Sequence, residues 1–507
     1  MAEMKYYELI KNPGMVALTD IPILDYHDFR EQTIAIMKKE SCHCVNYFIR
    51  QNTDHVDFYI IIANDSSHKV FVYSHRQKAE IKSLESITQE CFQLHVFERE
   101  IYENTGIVFE NHPWLKPVRY PFDRYDKAFK LSDYPFYRID SEEIHEVGVG
   151  PIHAGIIEPG HFRFQCYGEK VLHLEIQLGY QHRGIENLFI KKNSLLQRCV
   201  ISESVAGDTT IGHGLAFAQL AETLAESEWN EKLECERIIA LEMERMAVHI
   251  GDIAALCGDV AYQIGQVSCE ALRTIVINTM QDWCGNRFGK GLIRPGGTNY
   301  TLGNKILSFI AERLEEVHRR FLEVADMIFD DSGILARFEN TGTISAKQVY
   351  LSGGVGMVAR TSGTCRDIRE SHPFQAYKEV KYKPVILDQG DVYARALLRK
   401  IEFELSFSVI NELITRIEHL SDNLSFKPDY EMNFKPDMLC ISLVEGWRGE
   451  ICHVAVTDHE GKIEIYKIKD PSLHNWHVLA LAVREQEISD FPVCNKSFNL
   501  SYCGNDL

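Results

Sequence analysis

Apolar and polar residues alternate in short runs near both ends of this chain and recur with helical spacing through its middle. Val56 to Ala63 and Lys69 to Tyr73 are apolar, β-branched and aromatic runs joined by Asn64-Asp65-Ser66-Ser67, which predicts two strands and a turn. Residues 83 to 103 carry enough Glu, Leu and Phe for a helix. The Pro- and aromatic-rich passage from His112 to Pro135 has no helical period and predicts an extended tail or linker. Phe162, Phe164 and Cys166 then alternate with His161, Arg163 and Gln165. After Tyr167-Gly168, Leu172, Leu174, Ile176 and Leu178 alternate likewise, predicting a hairpin with one buried face. From about 190 to 425 the period is helical. Ile306, Ile310, Leu314, Val317, Phe321, Val324 and Ile328 make one apolar stripe, and Leu397, Ile401, Leu405, Leu413, Ile417 and Leu420 another. Long striped helices predict a bundle. Alternation returns at 451 to 467 around the turn Asp458-His459-Glu460-Gly461. The expected fold is α+β. Residues 1–135 form a small α+β domain, 136–147 a linker, and 148–507 a large, mainly helical bundle with β-hairpins near both of its ends.

Composition narrows the function. With 73 acidic against 54 basic residues the formal charge is −19, which disfavours a general binder of nucleic acid or anionic membrane. No stretch approaches 18 consecutive apolar residues, and the start Met1-Ala2-Glu3-Met4-Lys5-Tyr6-Tyr7 lacks the regions of a signal peptide. The expectation is a chain neither secreted nor inserted in a membrane. Its 14 cysteines are scattered, with no C-x-x-C pair. The close pair, Cys42 and Cys44 around His43, supplies half a tetrahedral metal site. No metal is expected to be held by this chain alone.

Several clusters stand out from this background. Glu242, Arg245, His249 and Asp252 recur at spacings of three, four and three on one helix face. Their neighbours Ile238, Ile239, Leu241, Met246, Val248 and Ile250 are so apolar that the helix should be buried nearly all round. A polar stripe there must be paired, either for structure or as a charge path. Gly354-x-Gly356-x-x-Ala359 imitates a dinucleotide fingerprint without a clear βαβ context. Three further clusters crowd Arg, His and carboxylate beside glycine or proline: Glu158 to Arg163 with Gly179 to Glu186, Arg366 to Pro373, and Val444 to Glu450.

These clusters carry a resemblance. Gly150-Pro151-Ile152-His153, Glu158-Pro159-Gly160-His161-Phe162-Arg163-Phe164 and Gly179-Tyr180-Gln181-His182-Arg183-Gly184-Ile185-Glu186 resemble the large subunit of group 4 [NiFe] hydrogenases, formate hydrogenlyase being the nearest type. That family is homologous to the quinone-site subunit of respiratory complex I (NADH:quinone oxidoreductase). Arg294-Pro295-Gly296-Gly297, Gly390 to Arg395 and Val444 to Glu450 extend the match to the last residue. Phe97 to Ile107 with Asn111 to Leu115 is similar to the small peripheral-arm subunit of complex I, in the fused arrangement of formate hydrogenlyase.

The catalytic motifs depart from the family. A [NiFe] centre needs four thiolates, and soft sulfur is not replaced by oxygen or aliphatic groups. By the family's register the ligand positions are Val200, Glu203, Ser501 and Gly504, with Cys199 and Cys503 each one residue out. The tyrosine that holds a quinone headgroup falls at Ile201, and the histidine near Glu158 or Pro159. The resemblance therefore implies an oxidoreductase-complex subunit without nickel. It would pass electrons from a small iron–sulfur partner to a quinone-like or other acceptor, and antiporter-like membrane subunits would move ions. In that reading Glu158, His161, Arg163, Glu203 and Asp208 line the site or relay protons, and Asp367 and Arg369 form its opposite wall. The chain would lie on the cytoplasmic face of the cell membrane, held there by partners. The alternative is a non-catalytic coupling subunit, and a working hydrogenase is a third reading that the ligand count opposes.

Overall fold

The computed structural model describes residues 4–152, 157–228, 230–420 and 426–507. Met1 to Glu3, His153 of the first family motif and 421–425 at the end of the predicted helical region lie outside them.

The chain opens with Tyr7–Leu9 (β1), Gly14–Ala17 (β2), Ile23–Leu24 (β3) and the helix Tyr26–Met37 (α1), which is N-capped by the Asp25 carboxylate. Cys42–Gln51 (β4), His55–Asn64 (β5) and Lys69–Lys78 (β6) form an antiparallel meander, with β1 and β3 added along β6. One face of this sheet closes a core of its own around Phe29, Phe58, Tyr73 and Phe97. The predicted helix over 83–103 begins only at His95. Ser83–Glu85 (β7) pairs in parallel with Val108–Glu110 (β8), and the helix between them is His95–Thr105 (α2). The cause is local. Glu98 accepts hydrogen bonds from the Ser86 and Thr88 hydroxyls and the Ile87 amide, so its carboxylate fixes the preceding segment as a loop.

β2 leaves this unit. It pairs with Met438–Glu445 (β12), the first strand of a C-terminal antiparallel meander that continues through Glu450–Thr457 (β13) and Ile463–Lys469 (β14). A third sheet, His145–Val149 (β9), His161–Tyr167 (β10) and Lys170–Gln177 (β11), contains the hairpin expected from the alternation at 161–178.

Between these sheets lie the helices. Ile185–Lys191 (α3), Leu195–Ser202 (α4) and Thr210–Leu224 (α5) lead to the long Glu231–Asp259 (α6), Gln263–Cys284 (α7) and Asn304–Phe329 (α8). Ser332–Phe338 (α9), Ala346–Ser352 (α10), Met357–Arg360 (α11) and Ile368–Ser371 (α12) are short, and Val392–His419 (α13) is long again. Ser472–Ala482 (α14), Phe491–Phe498 (α15) and Tyr502–Asp506 (α16) close the chain. α8 buries Ile310, Leu314, Val317, Phe321 and Ile328 of its predicted stripe, with Ile306 and Val324 half-buried. α13 buries its predicted stripe only toward its end, at Leu413 and Ile417. Leu397, Ile401 and Leu405 are only half-buried, while Arg395, Arg399, Glu402 and Ser406 are fully buried. The polar face wins because it meets a complementary polar face on α6.

Candidate functional site

α6 and α13 pack along a polar seam. Glu242, Arg245, His249 and Asp252 recur on α6, and Arg395, Arg399, Glu402 and Ser406 on α13, so each set makes a single stripe. The stripes run antiparallel. Ser406 donates to Glu242 at 2.5 Å, His249 meets Glu402 at 2.9 Å, and Arg399 donates to Asp252 at 2.8 Å.

Around the middle of the seam the loop before and within α12 adds two more charges. Asp367 caps that helix through the Arg369 amide and also takes the Arg369 guanidinium at 2.9 and 2.7 Å. Arg369 reaches Glu402 at 2.6 Å and lies 4.2 Å over the Tyr382 ring. Arg360 is shared by Glu402 and Glu445, each at 2.8 Å, with Asp367 at 3.2 Å. The Tyr377 hydroxyl donates to Glu242. This buried cluster holds three guanidiniums (Arg245, Arg360, Arg369) and four carboxyl groups (Glu242, Asp367, Glu402, Glu445). Burial disfavours every charge in it, yet Arg360 and Arg369 hold Glu402 well below the usual carboxylate range. Glu445 goes the other way. Burial, reinforced by the Asp367 charge, pushes it up to about 7. Burial also lowers His249, so the imidazole adds no fourth positive charge near neutrality. Glu445 is thus the carboxyl of the cluster that titrates near neutrality.

The turn after Glu445 ties this cluster to a second group. Arg245 donates to the carbonyls of Glu445 and Gly446. Trp447 donates to the Asp208 carbonyl at 3.0 Å, and Arg448 clamps the half-buried Asp208 carboxylate at 2.7 and 2.6 Å. Although burial opposes its charge, that clamp keeps Asp208 below the ordinary carboxylate value. Gly356, at φ +65°, allows the close approach of this turn. A Cβ there would stand 2.2 Å from the Arg448 carbonyl oxygen, so the Gly354-x-Gly356 motif serves packing here.

Glu158 lies at the edge of the same region and accepts from the Cys503 amide at 3.4 Å. The Cys503 carbonyl in turn receives Arg183, which also donates to the Ser204 and Val205 carbonyls. Glu203 is buried against Arg294 and accepts from the Gly291 amide at 2.7 Å. His161 and Arg163 stand apart from these groups. His161 packs against Phe136 with ring centroids 5.0 Å apart and planes tilted by 36°, and its Nε2 is buried with no hydrogen-bond partner among the described residues. Arg163 pairs with Glu146 at 3.3 Å and lies over Phe136. Arg360, Arg399 and Glu402 are absent from the sequence-derived set. The signal for Arg399 and Glu402 was available as the 4-3-4 spacing of Arg395, Arg399, Glu402 and Ser406 inside an apolar helix, whereas Arg360 lies on another helix outside that pattern.

The family's nickel-ligand positions do not fit a nickel centre here. Val200 is half exposed, Glu203 is ion-paired, and Ser501 accepts from the Gly504 amide as the cap of α16. A Cβ at Gly504 would stand 2.7 Å from the Asp470 carboxylate. Burial pushes the Cys199 thiol up to about 12 and the Cys503 thiol up to about 11, so neither is a ready thiolate. Ile201 offers no side-chain hydrogen bond to a quinone headgroup, and among the described residues the positions of the complex I tyrosine and histidine hold Ile201 and Glu158 or Pro159.

Two family models and several curated relatives match this chain. Residues 15–134 match the family model of the respiratory-chain NADH dehydrogenase 30 Kd subunit, and 259–506 that of the 49 Kd subunit. The carbon monoxide-induced hydrogenase of Rhodospirillum rubrum is 26% identical over 356 residues, spanning 70% of this chain and 97% of its own. Formate hydrogenlyase subunit 5 of Escherichia coli is 25% identical over 433 residues, 81% of this chain and 74% of its own. The membrane-bound hydrogenase alpha subunit of Pyrococcus furiosus is 26% identical over 373 residues, 70% and 85% respectively. Among solved structures, a chain of the archaeal membrane-bound sulfane sulfur reductase shares the fold at TM-score 0.67 and 21% identity, over 73% of this chain and all of its own.

Proposed function

We infer, from a chain whose two parts match the family models of the 30 Kd and 49 Kd subunits of respiratory-chain NADH dehydrogenase in one polypeptide, that it is the large peripheral subunit of an energy-converting membrane oxidoreductase complex. Electrons come from an iron–sulfur partner subunit and pass to an acceptor, quinone-like or other, without a nickel centre. Proton uptake by the buried charge cluster accompanies that transfer and is passed on to ion-moving membrane partners. No helix of the described residues is long and apolar enough to cross a membrane, and contact with the membrane is made through those partners.

One observation carries the reading: four carboxyl groups face three guanidiniums in a buried interior, and Glu445 is the carboxyl that this imbalance and its burial push up to about 7. Glu158 and Asp208 connect it toward the surface through the 445–449 turn and the C-terminal segment. In the intact complex, Glu158→Gln and Asp208→Asn are each expected to cut coupled turnover about tenfold or more, as loss of a proton-relay group does, while assembly persists. Ion-coupled turnover measured in vesicles checks this, and full turnover in the double variant removes the pocket from the mechanism. A second reading, a non-catalytic coupling subunit, is favoured by the ion pairs that engage Glu203, Asp208 and Asp367. Full turnover in that double variant is the result it predicts.

A further inference from the structure

A cavity of about 610 Å³ lies between α2, the segment from Pro113 to Ile139, strand β11 and helix α14. None of Glu158, His161, Arg163, Glu203, Asp208, Asp367 or Arg369 lines it. Its size is that of a small-molecule site.

One wall is a column of stacked rings. Phe92 and His95 have centroids 4.6 Å apart with planes 19° apart, and His95 and Trp114 follow at 5.4 Å and 21°. His477 sits against all three at 4.9 to 5.6 Å. The Arg99 guanidinium caps the column, 4.2 Å over Trp114.

Two features of this wall are incomplete as they stand. Arg99 is 6% exposed and donates to the carbonyls of Lys116 and Pro117, but no carboxylate lies within ion-pair distance among the described residues. The carboxylate that also lines the cavity, Glu175, is already engaged. It accepts from Lys116, the Trp114 indole, the Tyr134 hydroxyl and the Tyr137 amide. His95 is 2% exposed, and neither ring nitrogen has a hydrogen-bond partner among the described residues. Burial, together with the positive groups nearby, holds its imidazole neutral, leaving one N–H donor and one lone pair unused. A buried cation without a counter-ion and an imidazole without partners are each costly in a folded protein. Both costs are offset by one kind of occupant.

We propose that this cavity is a binding site for a planar aromatic anion, with its rings against the Phe92–His95–Trp114 wall, its carboxylate or sulfonate on Arg99, and a hydrogen bond from His95. The site is separate from the charge cluster and independent of the function assigned to it. It lies where the N-terminal unit meets the β10–β11 hairpin, so occupancy ties the two together.

Isothermal titration of the full chain with naphthalene-2-sulfonate, and with neutral naphthalene-2-methanol as comparison, tests this. The sulfonate is expected to bind one to one, and about tenfold or more tighter than the alcohol, because only it meets the Arg99 charge in a desolvated setting. Arg99→Met and His95→Phe should each weaken the sulfonate by about tenfold or more. His95→Phe keeps a ring in the column and removes two unpartnered nitrogens, so it should melt no lower than the parent chain, which separates lost binding from lost folding. Absence of saturable one-to-one binding, equal affinity for the two probes, or sulfonate affinity retained in either variant would overturn the proposal.

Discussion

Glu445 ends β12, is almost wholly buried, and shares Arg360 with Glu402. Because its carboxyl is raised from 4.5 to about 7, the folded chain binds this proton more tightly than the unfolded chain does. Its contribution to stability is therefore present below about pH 4.5 and is lost as pH rises through 7. A shift of that size corresponds to a loss on the order of 3 kcal/mol above pH 7. Glu445→Gln, which mimics the protonated group, should remove this part of the pH dependence. Urea denaturation of both chains between pH 4.5 and 8 reads it as a stability difference that grows with pH in favour of the variant. A difference independent of pH would place the proton elsewhere in the cluster. Of this arrangement the sequence displayed Glu445 as a member of a crowded polar cluster and Asp367 and Arg369 as a pair of charges. It did not display that four distant segments meet there, because ion pairs between residues 242, 360, 369, 402 and 445 have no local periodicity.

The α6–α13 seam belongs to the element scale. Three polar residues on each helix pair with three on the other, so neither helix tolerates slippage along the other without unpairing buried charge. Glu402 is the hub, joined to His249, Arg360 and Arg369. Glu402→Ala removes the carboxylate that His249, Arg360 and Arg369 share, leaving Arg360 on Glu445 and Asp367 and Arg369 on Asp367, and is expected to cost about 1–3 kcal/mol, the range for losing one partner of a buried hydrogen-bonded group. Chemical denaturation measures it, and a loss below about 1 kcal/mol, the range of a surface pair, would mean that the seam is solvated. The stripe on α6 was legible from its 3-4-3 spacing within an apolar helix. The matching stripe on α13 was masked by leucines and isoleucines at similar spacing, and an apolar stripe is the more common reason for burial. The helix expected over 83–103 is shortened for a related reason. The Glu and Leu content of the segment favours a helix, but the Glu98 carboxylate draws Ser86, Ile87 and Thr88 into a loop.

At the scale of the whole molecule, the N-terminal unit is built into its neighbour. β2 adds an edge to the C-terminal sheet, and Asn12 bonds the carbonyls of His372 and Leu443. His43 on β4 meets Glu450 on β13 at 2.6 Å, and Lys469 on β14 meets the same carboxylate at 2.9 Å. These contacts join the 30 Kd-type unit to the strand that follows the 445–449 turn, so the charge cluster lies close to the join of the two units. Around the positions where a [NiFe] centre would take thiolates, this chain presents oxygen groups engaged in pairs and caps. Glu203 holds Arg294, Asp208 holds Arg448, and Asp470 fills the space beside Gly504. The direct test of this account is subunit-resolved nickel and iron analysis of the purified intact complex, with hydrogen uptake assayed on the same sample. The account predicts no stoichiometric nickel, iron confined to partner subunits and no hydrogen uptake. Nickel at one equivalent in this chain, accompanied by hydrogen uptake, would contradict it.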